Sequence, residues 1–192
     1  MKVLLIDHDD SFTENLAAWL RSSPIPLRVE VKNHRVIENV TVSDYELIVL
    51  GPGPHHPKSA ISSLKFTKEH LGNIPIFGVC LGMQILALAT GSQVEKSPLA
   101  FHGQSRMLSS ELKEENENIK LVVGSYNSLC VVDINEEKWN IVAKNSNSEV
   151  EWIESCTVAH NAVGVQFHPE SFLSENSHLI KKRVFKHLGL CE

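Results

Sequence analysis

The chain has 192 residues, 42% of them hydrophobic, 21% charged and 6% aromatic, with a net charge of −5. That length suits one domain spanning 1–192, and the composition excludes a disordered chain, a coiled coil and a collagen-like repeat. The acidic balance offers no footprint for nucleic acid, and no segment approaches the ~20 apolar residues of a membrane span.

The first half alternates short apolar runs with helical patterns. Lys2 to Ile6 reads as a strand buried on both faces. Asp10 or Ser11 is placed to cap a helix running to about Ser22, with Pro24 beyond its end. Leu27 to Lys32 alternates as a second strand. Leu47 to Leu50 is a third, stopped by Gly51-Pro52-Gly53-Pro54. A helix over about Ser59 to Leu71 follows, then a fourth strand over Ile74 to Val79. Cys80 opens a helix to about Thr90, with Gly91 as its C-terminal cap. This alternation predicts an α/β fold: a central, mostly parallel sheet flanked by helices, with ligands beyond the carboxyl ends of the strands.

From Gln93 to Phe167 the apolar patches shorten. Leu129 to Ile134, Trp139 to Ala143 and Val163 to Phe167 read as antiparallel strands added to the same sheet. Glu111 to Asn118 reads as a solvated acidic turn. A last helix runs from about Glu175 to Leu188, with Ile180, Val184 and Leu188 as its apolar stripe. Lysines and an arginine favour its C-terminal dipole, and Gly189 can end it.

The four cysteines, Cys80, Cys130, Cys156 and Cys191, contain no CxxC pair. The opening Met1 to Asp7 turns acidic too early for a signal peptide, so four reduced thiols in a cytoplasmic protein are expected. No metal and no cofactor is expected. His55-His56 lacks a spaced carboxylate or cysteine partner and reads as a mobile polar loop. An acidic metal site at Asp9-Asp10 requires an Asp after the third strand, where Leu50-Gly51 stands.

Gly78-Val79-Cys80-Leu81-Gly82 has the form of a nucleophile elbow, with cysteine as the nucleophile. A buried strand turning sharply into a helix exposes the central side chain, and flanking glycines remove collisions. The helix N-terminus lowers the thiol pKa, and the Leu81 N–H points where an oxyanion forms. A buried structural cysteine has the same local pattern. A thiolate needs a base, and the base an orienting partner. His168 and Glu170, two apart around Pro169, can lie side by side, although a surface His beside a solvated Glu reads the same way. Pro52-Gly53-Pro54 fails as a phosphate loop, because the G-x-G-x-x-G pattern breaks at His56 and proline lacks N–H donors. It suits one fixed donor, Gly53 N–H, as the second arm of an oxyanion hole.

Together these residues resemble the class I glutamine amidotransferases, and within them the small subunits of anthranilate synthase and aminodeoxychorismate synthase. The resemblance is carried by Asp7 to Thr13, Gly51 to Pro54, Gly78 to Gln84, His102-Gly103, Tyr126 to Leu129 and Gly164 to Ser171. It implies hydrolysis of L-glutamine to glutamate and ammonia, with ammonia passed to a chorismate-binding synthase large subunit. It further implies Cys80, His168 and Glu170 as the triad and Gly53 and Leu81 as the oxyanion hole. Gly53, Pro54, Gln84, Ser128 and Leu129 are implied as the substrate site. Three positions depart from the pattern: Met83 and Asn127 where histidine is usual, and His55 where glycine is usual. They bear on the substrate pocket and partner contacts, not on the triad. Two other readings stay open. One is a stand-alone cysteine hydrolase of γ-glutamyl substrates on the same fold. The other is a non-catalytic, doubly wound regulatory module.

Overall fold

The computed structural model describes residues 1–114, 117–157 and 160–191. Four strands, β1 (Lys2–Asp7), β2 (Arg28–Asn33), β3 (Leu47–Leu50) and β4 (Ile76–Val79), alternate with α1 (Thr13–Arg21), α2 (Ile61–His70) and α3 (Leu81–Ala89). Seven further strands follow: β5 (Gln93–Lys96), β6 (Gln104–Glu114), β7 (Glu117–Ser125), β8 (Leu129–Val132), β9 (Trp139–Lys144), β10 (Val150–Ser155) and β11 (Ala162–Val165). Helix α4 (Ser177–His187) comes last. The main sheet has nine strands in the order β2-β1-β3-β4-β11-β10-β8-β5, with β9 paired to β10. From β2 to β11 neighbouring strands run parallel; β10, β8, β5 and β9 add antiparallel pairs.

The pleat of β1 explains the layers. Val3 and Leu5 face one side, against α1 through Leu16 and Leu20 and α4 through Ile180, Val184 and Phe185. Leu4 and Ile6 face the other, against Phe66 of α2 and Ile85 and Leu86 of α3. A strand buried on both faces has no polar side to alternate, so β1 and β3 read as continuous apolar runs.

Several expectations are corrected. The 163–167 strand is β11 (Ala162–Val165): it is antiparallel to β10, as expected, but on its other side it lies parallel to β4, with Val165 opposite Val79. The acidic stretch 111–118 continues a long hairpin: β6 runs to Glu114 and β7 starts at Glu117, while 115 and 116 lie outside the described residues. Neither Asp10 nor Ser11 caps α1, which starts after Phe12 without a side-chain cap. Instead Asp7 organises the turn: its Oδ1 accepts from the N–H groups of Asp9 (3.0 Å) and Asp10 (3.3 Å) and from Thr13 Oγ1 (2.6 Å). The loop after β3 contains regular local structure next to His55-His56. Pro57–Ser59 forms a 3-10 turn, Pro57 is buried, and His56 Nδ1 accepts from the Lys58 N–H at 3.1 Å. Gly91, at φ +95°, and Gly189, at φ +68°, end α3 and α4 as expected. Among the described residues no helix is long and apolar enough to cross a membrane.

Candidate active site

Cys80 sits between β4 and α3 with φ +53° and ψ −105°, a conformation non-glycine residues rarely adopt. Such strain costs on the order of 1–3 kcal/mol and persists only where surroundings over-determine it. They do so here. The Cys80 N–H donates to the Val165 carbonyl at 2.8 Å, and its own carbonyl accepts from the Gln84 N–H at 3.2 Å. A Cβ on Gly82 would lie 2.0 Å from the Leu50 carbonyl oxygen, and one on Gly78 would lie 2.5 Å from the Gly82 carbonyl carbon. The two glycines thus let α3 start directly against β3 and β4.

Because β11 is parallel to β4, residues beyond its carboxyl end arrive beside Cys80. His168 is buried, and its Nδ1 donates to Glu170 Oε1 at 2.7 Å, leaving Nε2 for the sulfur. The Glu170 side chain is fully buried, and its Oε2 has no hydrogen-bond partner among the described residues. Burial opposes a charged imidazole at His168. The charge and hydrogen bond of the Cys80 sulfur, with Glu170, outweigh burial and raise its pKa well above the ordinary value. Phe12 and Tyr126 enclose the imidazole, each with its ring centroid 5.0 Å away. Tyr126 Oη is 2.9 Å from Ser171 Oγ, and the His168 N–H donates to the Gly124 carbonyl at 2.9 Å. The β6–β7 hairpin therefore props the imidazole from behind.

The candidate oxyanion residues lie together: a Cβ on Gly53 would meet Leu81 Cδ2 and His8 Cβ, each at 2.6 Å. Leu81 is the first residue of α3, so its N–H is one of the helix's orphan donors. His8 holds the neighbouring backbone. Its Nδ1 is 3.1 Å from the Gly51 carbonyl and its Nε2 is 2.9 Å from Ser63 Oγ. A carbonyl only accepts, so Nδ1 carries the proton and Nε2 accepts from Ser63. Burial, then the neighbouring His34, lowers the His8 pKa to about 4, which keeps it neutral. Gln84 is buried, and its Nε2 donates to the Leu129 carbonyl at 3.3 Å. Asn127 Nδ2 donates to the same carbonyl at 3.0 Å. Pro54 and Ser128 are exposed at the rim. Met83 is buried against Gly164, where a Cβ would meet its Cγ at 2.8 Å.

Phe12, Tyr126 and His8 escape assignment from the sequence, although each lies in a stretch that carries the resemblance. Spacing along one strand predicts His168 beside Glu170; it carries no signal for rings that reach the imidazole from two other segments.

The family described as glutamine amidotransferase class-I matches residues 4–187, and the chain belongs to it. It is a glutamine amidotransferase on an α/β fold. Among curated relatives, aminodeoxychorismate/anthranilate synthase component 2 of Bacillus subtilis is 33% identical over 90% of this chain and 89% of that one. Aminodeoxychorismate synthase component 2 of Escherichia coli is 32% identical over 92% and 95%. The chain spans 31% of the longer bifunctional protein TrpGD of Thermotoga maritima, at 32% identity. The solved structure of a glutamine amidotransferase from Thermotoga maritima has the same fold, with a TM-score of 0.68 and 17% identity over 97% of this chain and 82% of that one.

Proposed function

We propose that this chain, as a single cytoplasmic domain, is a glutaminase component that hydrolyses L-glutamine and hands the ammonia to a chorismate-binding synthase subunit. The observation that carries the reading is the strained Cys80 at the start of α3, facing a buried imidazole that is itself bonded to a buried carboxylate. The Cys80 thiolate attacks the side-chain carboxamide carbon of glutamine. The Gly53 and Leu81 N–H groups hold the oxyanion, where loss of one donor typically costs ~10²–10³-fold. His168, as imidazolium, protonates the departing nitrogen, and ammonia leaves a glutamyl thioester. Neutral His168 then takes a proton from water. The hydroxide attacks the thioester carbon, glutamate leaves, and Cys80 returns as thiolate. Glu170 keeps Nδ1 protonated and Nε2 facing the sulfur throughout. Gln84, Pro54, Ser128 and Leu129 line the place of the amino-acid end.

Relatives named for anthranilate and for aminodeoxychorismate synthesis match at similar identity, so the choice of product is assigned to the synthase subunit. The test is glutamine turnover by the chain alone and with a saturating synthase subunit, at fixed pH and salt. Turnover should rise on binding. In the complex, Cys80→Ser should abolish glutamine-dependent synthesis and spare ammonia-dependent synthesis. Equal turnover with and without the subunit would favour a stand-alone γ-glutamyl hydrolase.

A further inference from the structure

Gln166 has no part in the chemistry above, yet it touches the reactive sulfur. Its Nε2 lies 3.6 Å from Cys80 Sγ, and the residue is 1% exposed. Its backbone is fixed by the Gln166 N–H donating to the Glu151 carbonyl at 2.8 Å. The end of the amide that faces the sulfur follows from a chain of acceptors. The Leu129 carbonyl only accepts, so the Gln84 atom 3.3 Å from it is the NH₂ group. That same nitrogen lies 3.0 Å from the Gln166 carboxamide and must meet its oxygen. The Gln166 NH₂ group is left for the sulfur. A thiolate is the stronger acceptor of the two sulfur forms, so a buried donor aimed at Sγ favours the charged one.

We propose that Gln166 is a positioning residue for the nucleophile. Its carboxamide, oriented by Gln84 from the Leu129 carbonyl, donates to Cys80 Sγ and holds the thiolate opposite His168. The chain of amides also ties the sulfur to segment 127–129, since Leu129 O accepts from Asn127 as well. One stretch after β11 thereby delivers both the imidazole and a second donor to one atom. The inference rests on Cys80 being the nucleophile of the proposed reaction.

The test reads the sulfur directly, in the full chain without glutamine or partner. Alkylation of Cys80 by iodoacetamide is followed against pH, with the Cys80 peptide quantified by mass spectrometry because the exposed Cys156 reacts as well. Gln166→Met keeps the length and removes the donor; its alkylation midpoint should move up by about one pH unit. Gln166→Glu places a carboxylate beside the sulfur and should move it further. Gln84→Leu frees the Gln166 amide to turn and should shift it the same way by less, which keeps the test open if Gln166→Met fails to fold. A folded Gln166→Met with an unshifted midpoint overturns the proposal, as does Gln166→Glu shifting no further than Gln166→Met. The two readings fail separately. An unshifted midpoint in an active enzyme removes only Gln166. A shifted midpoint without glutamine turnover in the complex removes the glutaminase reading and leaves the sulfur contact standing.

Discussion

Among the described residues Glu170 is a buried carboxylate with a single bonded partner, which gives His168 a structural role beside its proposed chemical one. Its Oε1 meets the imidazole at 2.7 Å, while Oε2 has no hydrogen-bond partner among the described residues. Removing the imidazole leaves an uncompensated buried charge, a loss that typically costs ~3–5 kcal/mol. His168→Ala should therefore lose stability by about that amount, besides the ~10²–10⁴-fold in rate expected for a missing general base. Adding Glu170→Gln should return most of the stability and none of the turnover. Urea unfolding and glutamine hydrolysis on the single and double variants check both halves. A double variant as unstable as His168→Ala would mean that the carboxylate is compensated some other way.

The strand–turn–helix element at Cys80 is legible in the sequence because its glycines have a steric reason: α3 starts where a Cβ on Gly82 would strike the Leu50 carbonyl oxygen. Gly82→Ala should push α3 off β3, destabilise the fold by about 1–3 kcal/mol and displace Cys80 from His168. Urea unfolding together with the Cys80 alkylation rate measures both effects, and a variant of unchanged stability and reactivity would show that α3 has room to move. The parallel half of the sheet is readable because β1, β3 and β4 are plain apolar runs. β10 is not. Val150–Ser155 is buried at every position, yet it carries Glu151 and Glu154, which break the apolar signature. Their compensation comes from afar: Arg183 of α4 grips Glu154 at 2.8 and 2.9 Å, and Arg106 of β6 reaches Glu151 at 3.3 Å. Windowed periodicity has no access to partners that distant. For the same reason β11 is legible as a strand with an antiparallel neighbour, β10, but its parallel pairing with β4 on the other side is not legible.

Across the whole molecule, two buried groups pull the pH dependence of stability in opposite directions. The His8 pKa is lowered from 6.5 to about 4, first by burial, so the unfolded chain takes up that proton earlier and stability falls as pH drops through this window. The Glu151 pKa is raised from 4.5 to about 7, again first by burial, so stability falls as pH rises through that window. Between pH 5 and pH 7 each contributes about 2 kcal/mol, with opposite signs. Relative to the parent, His8→Asn should gain stability at pH 5 against pH 7, and Glu151→Gln should lose it. Urea unfolding at both pH values reads the differences, and two variants that follow the parent's slope would remove both assignments. The position of β11 has a consequence in time as well as space. It is the last strand in chain order, yet it sits between β4 and β10 in the middle of the sheet. While the chain is being synthesised, β4 has an open edge and Cys80 has no imidazole beside it. Insertion of β11 closes that edge and brings in His168, Glu170 and Gln166 together. The thiol therefore meets its proposed base only once the strand that fills the middle of the sheet is in place.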